Sequence, residues 1–433
     1  MIMARLVKQN GDKITLQVEI SLKGSLLEIE QSIQDGVNEV GTLATEEALK
    51  VFDTNGAPIQ LGSVRMTSKG KVKKRYETPY GAVDLERHVY QTSSGGKTYC
   101  PLDEKARIIT SSTPRFAKII SHKYAKESAK SVAEDLSSNH GRTVSRSFLQ
   151  NVVEVIGSIA EATEEAWMYA TPEQKEPVTT VAISLDGTCV LMRKDGYREA
   201  MTGTISLYSR QGERLHTVYI GASPQYGKQK FLERLEKEIY AIKLQYPDAH
   251  YIGIADGAKF NWNFLDKHTT YPILDFYHAT EYLANAAKAK FPQYYNEVQR
   301  KAWLNNACHA LKHEAGAANA LLNEMREIPT KGLSCDHQER LSSAISYFRN
   351  QKSRMDYNHY RQLNMPIGSG VTEAACKTLI KQRLCQSGMK WGEKGARLLL
   401  CLRSLVCTPT RFDQFWERIN VTGLSGLADI RAA

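Results

Sequence analysis

An α/β fold is predicted, and three observations predict it. Between residues 178 and 290 the segments "TTVAISLDGT", "AMTGTISLYS" and "RLHTVYIGAS" read as successive strands, with Arg193–Gly196 and Arg210–Glu213 as the turns between them. The next segment, "GKQKFLERLEKEIYAIKLQYP", has helical periodicity. A strand "YIGIADG", a short helix around Asn261–Leu265 and a strand at "YPILDF" follow. The order is βββαβαβ, three antiparallel strands followed by α/β units.

The remaining elements flank this core. Residues 1–60 are mainly helical after a short strand, with Leu26, Ile29, Ile33, Val37, Val40 and Ala44 at helical spacing. A helix facing the core is expected there, with a dimerisation helix as the other reading. Residues 61–112 contain a basic β-hairpin over 69–92. Pro79 and Gly81 supply its turn, and Val83, Leu85, Arg87 and Val89 alternate as a strand does. Lys71, Lys73, Lys74 and Arg75 make one arm cationic. Such side chains displace condensed counterions from DNA, although a solvated hairpin face has the same pattern.

Residues 113–160 have a helix-turn-helix cadence. Ala129, Val132, Ala133 and Leu136 line a first helix, Asn139 and Gly141 form the turn, and Ser145 caps a second helix with Phe148, Leu149, Val152 and Val153 inward. In a DNA-binding motif of this kind the start of the second helix enters the major groove. Arg142, Thr143, Ser145, Arg146 and Gln150 are the expected exposed residues. A generic helical hairpin gives the same pattern. Residues 291–365 form a helical insertion broken at Pro292 and near Gly332. Residues 366–410 return to the core as "PIGSG" with a helix, then "EKGARLLLCLRSLV" as another. Residues 411–433 are expected to be a peripheral tail.

Composition narrows the class. A chain of 433 residues has room for about two to four domains. Its net charge of +10 suits a polyanionic partner. No apolar run approaches the ~18 residues of a membrane span. The first twenty residues lack the apolar core of a signal peptide. Eight cysteines without CxxC spacing argue against a disulfide framework. The expectation is a reduced, cytoplasmic protein associated with the bacterial nucleoid.

Three carboxylates carry the chemistry. Asp186 follows the apolar run Ala182–Leu185, and Asp256 follows Ile252–Ala255. Each precedes a glycine, which permits close approach of a ligand. Glu373 lies near the start of a helix, in "GSGVTE", on a segment made cationic by Lys377, Lys381 and Arg383. A turn aspartate before glycine is also a common loop pattern, and an N-terminal glutamate offsets a helix dipole. Together they suit two Mg²⁺ ions ~4 Å apart, which activate an attacking oxygen and stabilise a leaving one on a phosphodiester. Mg²⁺ needs only a few carboxylates beside water and phosphate oxygens, and Mn²⁺ also suits oxygen ligands.

The segments "SLDGT", "IADGA", "ILDFYHATEYL" and "PIGSGVTEAACKTLIKQRLCQSGMKW", with "GARLLLCLRSL" after them, resemble bacterial insertion-sequence transposases of the acidic-triad type. The nearest resemblance is to the insertion-sequence Kra-four group, similar in layout to Mutator-like transposases, over roughly residues 65 to 408. It implies a ribonuclease H-like catalytic domain with a helical insertion before the glutamate and a helix-turn-helix region upstream. It also implies movement of a DNA element bounded by terminal inverted repeats, hence duplex DNA ends and target DNA as partners. Asp186, Asp256 and Glu373 would be the three acids. Asp275 also ends an apolar run, so the second acid is contested; Asp256 is favoured because its strand follows the long helix. Asp275 and His278 then look like the family's acidic-or-Cys, two residues, His motif, with a core histidine satisfied by Asp275 as the other reading.

Trp391 is expected either to stack on a frayed base or to pack on the core. His309 and His313, at i and i+4 in the insertion, lack a second ligand pair for zinc. A homodimer or larger synaptic assembly is expected, because two ends must be joined in one complex. Two further readings stay open: another ribonuclease H-like nuclease, and a DNA-binding protein derived from a transposase that has no activity.

Overall fold

Alternation of apolar residues and a few well-placed caps account for most of the elements. The computed structural model describes residues 4–164 and 166–423. It is mixed α/β and divides into two units. One comprises the described residues up to Tyr169 together with Cys401–Val406 and those from Thr410 onward; the other comprises Ala170–Leu400 and Cys407–Pro409. No helix among the described residues is long and apolar enough to cross a membrane. All eight cysteines are free thiols, in keeping with the absence of disulfide spacing.

The first unit opens with a two-stranded hairpin, β1 (Arg5–Asn10) and β2 (Lys13–Gln17), and the helix α1 (Leu26–Val51). Ser25 and Glu28 close a reciprocal capping box at its start. The expectation of a core-facing helix is corrected: Leu26, Ile33 and Val37 are exposed, and only Gly36 and Leu49 are buried. The apolar stripe has the right period but meets few neighbours in its own chain.

A four-stranded sheet follows in the order β3 (Ile59–Leu61), β4 (Val64–Glu77), β5 (Ala82–Thr92) and β6 (Gly95–Tyr99). The hairpin expected over 69–92 is β4–β5, antiparallel from Thr67↔Gln91 to Glu77↔Ala82. Val83, Leu85, Arg87 and Val89 all face inward. Arg87 is tolerated there because it donates to the Tyr76 hydroxyl (3.0 Å) and the Val72 carbonyl (2.9 Å).

Helices complete the unit: α2 (Pro101–Lys105), α3 (Pro114–Lys126), α4 (Ala129–His140) and α5 (Arg146–Thr163). Gly141 ends α4 in the left-handed conformation (φ 62°) and Ser145 caps α5 as expected. Val132, Leu136, Leu149 and Val152 form the contact between them.

The second unit has the strand and helix order read from the sequence. Its strands are β7 (Val178–Met192), β8 (Gly196–Ser209), β9 (Arg214–Ala222), β10 (His250–Ala255) and β11 (Tyr271–Leu274); α6 (Lys228–Gln245) and α7 (Lys259–His268) interrupt them. The sheet order is β11-β10-β7-β8-β9. β7, β8 and β9 are antiparallel neighbours, and β10 and β11 join in parallel. Phe231, Leu235, Ile239 and Ile242 bury one stripe of α6. Gly203 on β8 makes room for Phe231 and Leu235. Residues of opposite parity point to the other face. There Gly221 of β9 lies under Leu379 and Leu400, so the C-terminal helices occupy that face.

Then come α8 (Phe276–Lys290) and the helical insertion, α9 (Glu297–His313), α10 (Ala317–Arg326), α11 (Cys335–Gln351) and α12 (Tyr357–Gln362). The glutamate-bearing segment is α13 (Gly370–Ala375), a π-helical stretch Cys376–Lys381, and α14 (Gln382–Leu384). Next, α15 (Glu393–Cys407) carries residues of both units, and α16 (Arg411–Thr422) belongs to the first.

The expected peripheral tail is corrected for its described part. Phe412, Phe415, Trp416 and Ile419 of α16 are buried in one cluster with Phe116, Ile120 and Leu149. Their spacing is a helical stripe, and the apolar surface of α3 and α5 supplies its partner. Phe415→Ala removes a fully buried ring from that cluster. It is expected to cost about 3–5 kcal/mol in urea denaturation. A cost below about 1 kcal/mol would mean that α16 contributes little to this core.

Candidate functional site

The register of two strands sets the site. β10 pairs with β7 at Gly253↔Ile183 and the three pairs before it, a constant offset of 70 residues that Asp256 and Asp186 share. Asp256 follows the end of β10 at Ala255, and the same offset, continued past the last paired residues, would set it level with Asp186 on β7. Asp186 projects to the face that carries α13, where it meets Cys376, whereas Asp256 bonds to Asn261 of α7. Both aspartates are half-buried.

Asp186 was expected at a strand end. It lies instead within β7, which continues to Met192 because Thr188, Val190 and Met192 keep burying one side against the paired β8. The position is special for another reason: the parallel partner strand has ended, so this part of β7 is paired only with β8. Gly187 does permit close approach, but to the chain's own Glu199, with which an added Cβ would collide. Glu199 in turn pairs with Lys228 at 2.6 Å.

Short hydrogen bonds orient both carboxylates. The Gly187 N–H donates to Asp186 Oδ1 (2.7 Å), and the Cys376 thiol donates to Oδ2 (3.4 Å). Burial pushes that thiol up to about 11, so it stays protonated as a donor. Asp256 Oδ1 accepts from the Ala258 N–H (3.0 Å) and from Asn261 Nδ2 (3.2 Å), which also reaches the Leu185 carbonyl (3.4 Å). The Trp262 indole donates to the Asp256 carbonyl (2.8 Å). Asn261 and Trp262 are buried.

Glu373 is exposed in the first turn of α13 and accepts from the Ser369 hydroxyl (2.9 Å). Its neighbours fix the helix to the sheet: Thr372 shares a 2.6 Å hydrogen bond with Thr204, and Cys376 meets Asp186. The helix then widens to π geometry, with Cys376, Leu379 and Ile380 inward. Such single-turn widenings are frequent at functional sites. Lys377 makes no ion pair with Glu373.

Asp275 has a different task. It is fully buried, caps α8 through the His278 N–H (2.8 Å) and accepts from the Ser369 N–H. It thus ties the start of α8 to the loop that leads into α13. His278 meets it through the backbone alone. The reading as a core histidine satisfied by Asp275 does not hold: the residue is half-buried and its ring lies 3.5 Å from Glu281.

The cationic residues separate into two groups. Lys71, Lys73 and Arg75 are exposed along β4, Arg146 is exposed at the first turn of α5, and Lys377 and Lys381 are exposed beyond Glu373. Lys74 is held by Asp103 at 2.9 Å. Two expectations are corrected. Arg142 is buried: it donates to the Thr78 carbonyl (3.0 Å) and the Glu77 carboxylate and lies over Phe116. Arg383 is buried against the Trp391 ring. Trp391 is half-buried and packed on its own chain, donating to the Leu384 carbonyl (2.9 Å) while its backbone pairs with Leu191 and Arg193.

Sequence reasoning missed Asn261, Cys376 and Tyr347. Asn261 has no feature that separates it from other helical asparagines, and Tyr347 lies in the insertion, 90 residues from the Gly257 it touches. Its ring is the nearest neighbour that a Cβ on Gly257 would meet, at 2.7 Å, and it stacks on Tyr282 with centroids 3.7 Å apart. Burial first, then Tyr282 and the charges of Asp256 and Asp275, push its phenol well above the ordinary value.

Among the described residues no three His, Cys, Asp or Glu side chains converge closely enough to hold a metal ion by themselves. The donor set still fits a hard cation. Asp186, Asp256 and Glu373 offer only oxygen ligands, and none of them pairs with a cationic side chain among the described residues. Mg²⁺ characteristically completes such a partial set with water and phosphate oxygens. The chain matches no protein-family model and no curated protein.

Stability distinguishes the buried acid from the others. Asp275→Ala strands two backbone donors in a fully buried place and is expected to cost about 2–4 kcal/mol. Asp186→Asn keeps an acceptor and removes a charge with no cationic partner; it is expected to stay within about 0.5 kcal/mol of wild type. Thermal and urea unfolding of the two variants checks this contrast. Equal losses would assign Asp186 a structural role as well.

Proposed function

We propose that this protein is a metal-dependent DNA transposase with an acidic triad. Its second unit would be a ribonuclease H-like catalytic domain interrupted by a helical insertion. The observation that carries the reading is that Asp186 on β7 and Asp256, just past the end of the neighbouring β10, share the offset of the paired strands, with the Glu373 helix packed against Asp186 and Thr204 and no cationic side chain paired with the three carboxylates among the described residues. The strand order β11-β10-β7-β8-β9, antiparallel then parallel, supports it.

Asp186, Asp256 and Glu373 would hold Mg²⁺, with Mn²⁺ as a substitute. Bound there, the ions supply activation of an attacking oxygen and stabilisation of the leaving one. The chain's own residues orient the ligands. Gly187 and Cys376 aim Asp186, Asn261 aims Asp256, and Ser369 restrains Glu373. Water as nucleophile gives strand cleavage; a freed 3′-hydroxyl gives strand transfer. Lys377 and Lys381, exposed beyond Glu373, suit the phosphates of the bound strand.

In the first unit, α4 and α5 would act as a helix-turn-helix. Thr143, Arg146 and Gln150 are exposed where the second helix would enter the major groove, and Lys71, Lys73 and Arg75 suit backbone phosphates. The ligand would be duplex DNA carrying terminal inverted repeats, bound by a homodimer or larger assembly.

The test is a cleavage and strand-transfer assay on DNA bearing the ends of the native element, with Mg²⁺. Wild type is expected to cut and join. Asp186→Asn, Asp256→Asn and Glu373→Gln are expected to bind the ends without cutting, and Asp275→Asn to keep activity in proportion to its folded fraction. A protein that binds ends but never cuts them would be a DNA-binding module. An active Asp256→Asn variant would remove that residue from the triad.

A further inference from the structure

The helical insertion touches the turn that carries the second acid. Three contacts arrive from α11 and the residues after it. The Tyr347 ring covers Gly257, leaving no room for a side chain there. Gln351 Nε2 donates to the Gly257 carbonyl (3.3 Å). Arg354 lies over the Trp262 ring (4.3 Å to its centroid) and pairs with Asp266 at 3.1 Å. Trp262 is itself bonded to the Asp256 carbonyl. The Asp256–Gly257 turn is therefore held from α7 on one side and from the insertion on the other.

One group in this contact is unexplained by packing. The Tyr347 hydroxyl oxygen is buried and has no hydrogen-bond partner among the described residues. A buried hydroxyl without a partner carries an uncompensated desolvation cost. A phenylalanine would stack on Tyr282 and cover Gly257 equally well without that cost. The ring that bears this hydroxyl lies against Gly257, and the neighbouring Asp256 Oδ2 accepts no hydrogen bond among the described residues, whereas Oδ1 accepts two. An unused donor and an unused acceptor thus stand at the same turn.

We propose that the insertion serves the metal centre directly, with Tyr347 and Gln351 as positioning residues for Asp256. The Tyr347 ring and the Gln351 amide fix the turn that bears Asp256, and the Tyr347 hydroxyl, unpaired among the described residues, is the donor that would restrain the carboxylate when a metal is bound. Partners of this kind orient the groups that ligate a metal, and their loss typically weakens metal binding by about 10–100-fold. The inference rests on the reading of Asp256 as a metal ligand.

The experiment measures Mn²⁺ binding to the full-length protein by electron paramagnetic resonance of the free ion. It compares wild type, Asp256→Asn, Tyr347→Phe and Gln351→Ala, with melting temperatures alongside. Tyr347→Phe keeps the ring and is expected to melt at or above the wild-type temperature while its Mn²⁺ dissociation constant rises about 10-fold. Gln351→Ala is expected to move in the same direction. In the cleavage assay, the Tyr347→Phe defect should be recovered at high Mn²⁺, which a loss of folding would not show. If Asp256→Asn loses Mn²⁺ and Tyr347→Phe and Gln351→Ala bind as wild type does, the positioning role is overturned and the metal reading stands. If wild type and Asp256→Asn bind Mn²⁺ alike, the metal reading fails and this inference falls with it.

Discussion

β7 is hydrogen-bonded along both edges, and this double pairing determines where the candidate site stands. Its antiparallel pairing with β8 extends to Met192, whereas its parallel pairing with β10 has its last pair at Ile183. Between those limits the strand is ordered on one side and open on the other. Asp186 stands in that interval, and the shared offset, continued past the end of β10, would set Asp256 level with it. A slip of one residue in β10 would turn Asp256 to the opposite face. The buried Ile252 and Ile254, and the Gly253 that accommodates Leu265, make such a slip costly.

Around this register the structure separates two uses of a carboxylate. Asp275 is dry and saturated by backbone donors, so it serves folding: one side chain caps α8 and secures the loop into α13. Asp186, Asp256 and Glu373 are at least partly open to solvent and have no cationic partners among the described residues. Carboxylates left unpaired in this way add nothing to the stability of the apo protein. Residues that are locally unfavourable and held by a rigid scaffold are a mark of a functional site.

The positive charges show the complementary division. Arg87, Arg142 and Arg383 are internal struts, each buried with hydrogen-bond or aromatic partners. Guanidinium suits this task because its planar donor fork satisfies several acceptors while its face stacks on a ring. Lys71, Lys73, Arg146, Lys377 and Lys381 remain outside. A count of basic residues therefore overstates the charge available to a polyanion, and only burial tells the two groups apart.

Much of the architecture was legible in the chain. Period-two and period-3.6 patterns, with turn residues such as Pro79 and Gly81, gave the βββαβαβ order, the β4–β5 hairpin and the α4–α5 pair, because these patterns act locally. The Asp-Gly steps at Asp186 and Asp256 were legible for the same reason. What local pattern does not encode is which partner a surface meets. The exposed stripe of α1, the burial of α16, the inward turn of Arg142 and Arg383, and the meeting of Tyr347 with Gly257 all depend on contacts distant in sequence. Glu373 likewise accepts from Ser369 and makes no pair with Lys377, which i, i+4 spacing alone would have allowed. The sequence by itself determined the elements and the supply of acids. Only tertiary structure decided the register that relates two of them and the neighbours that orient each, since strand pairing and packing across the sheet are set by the fold as a whole.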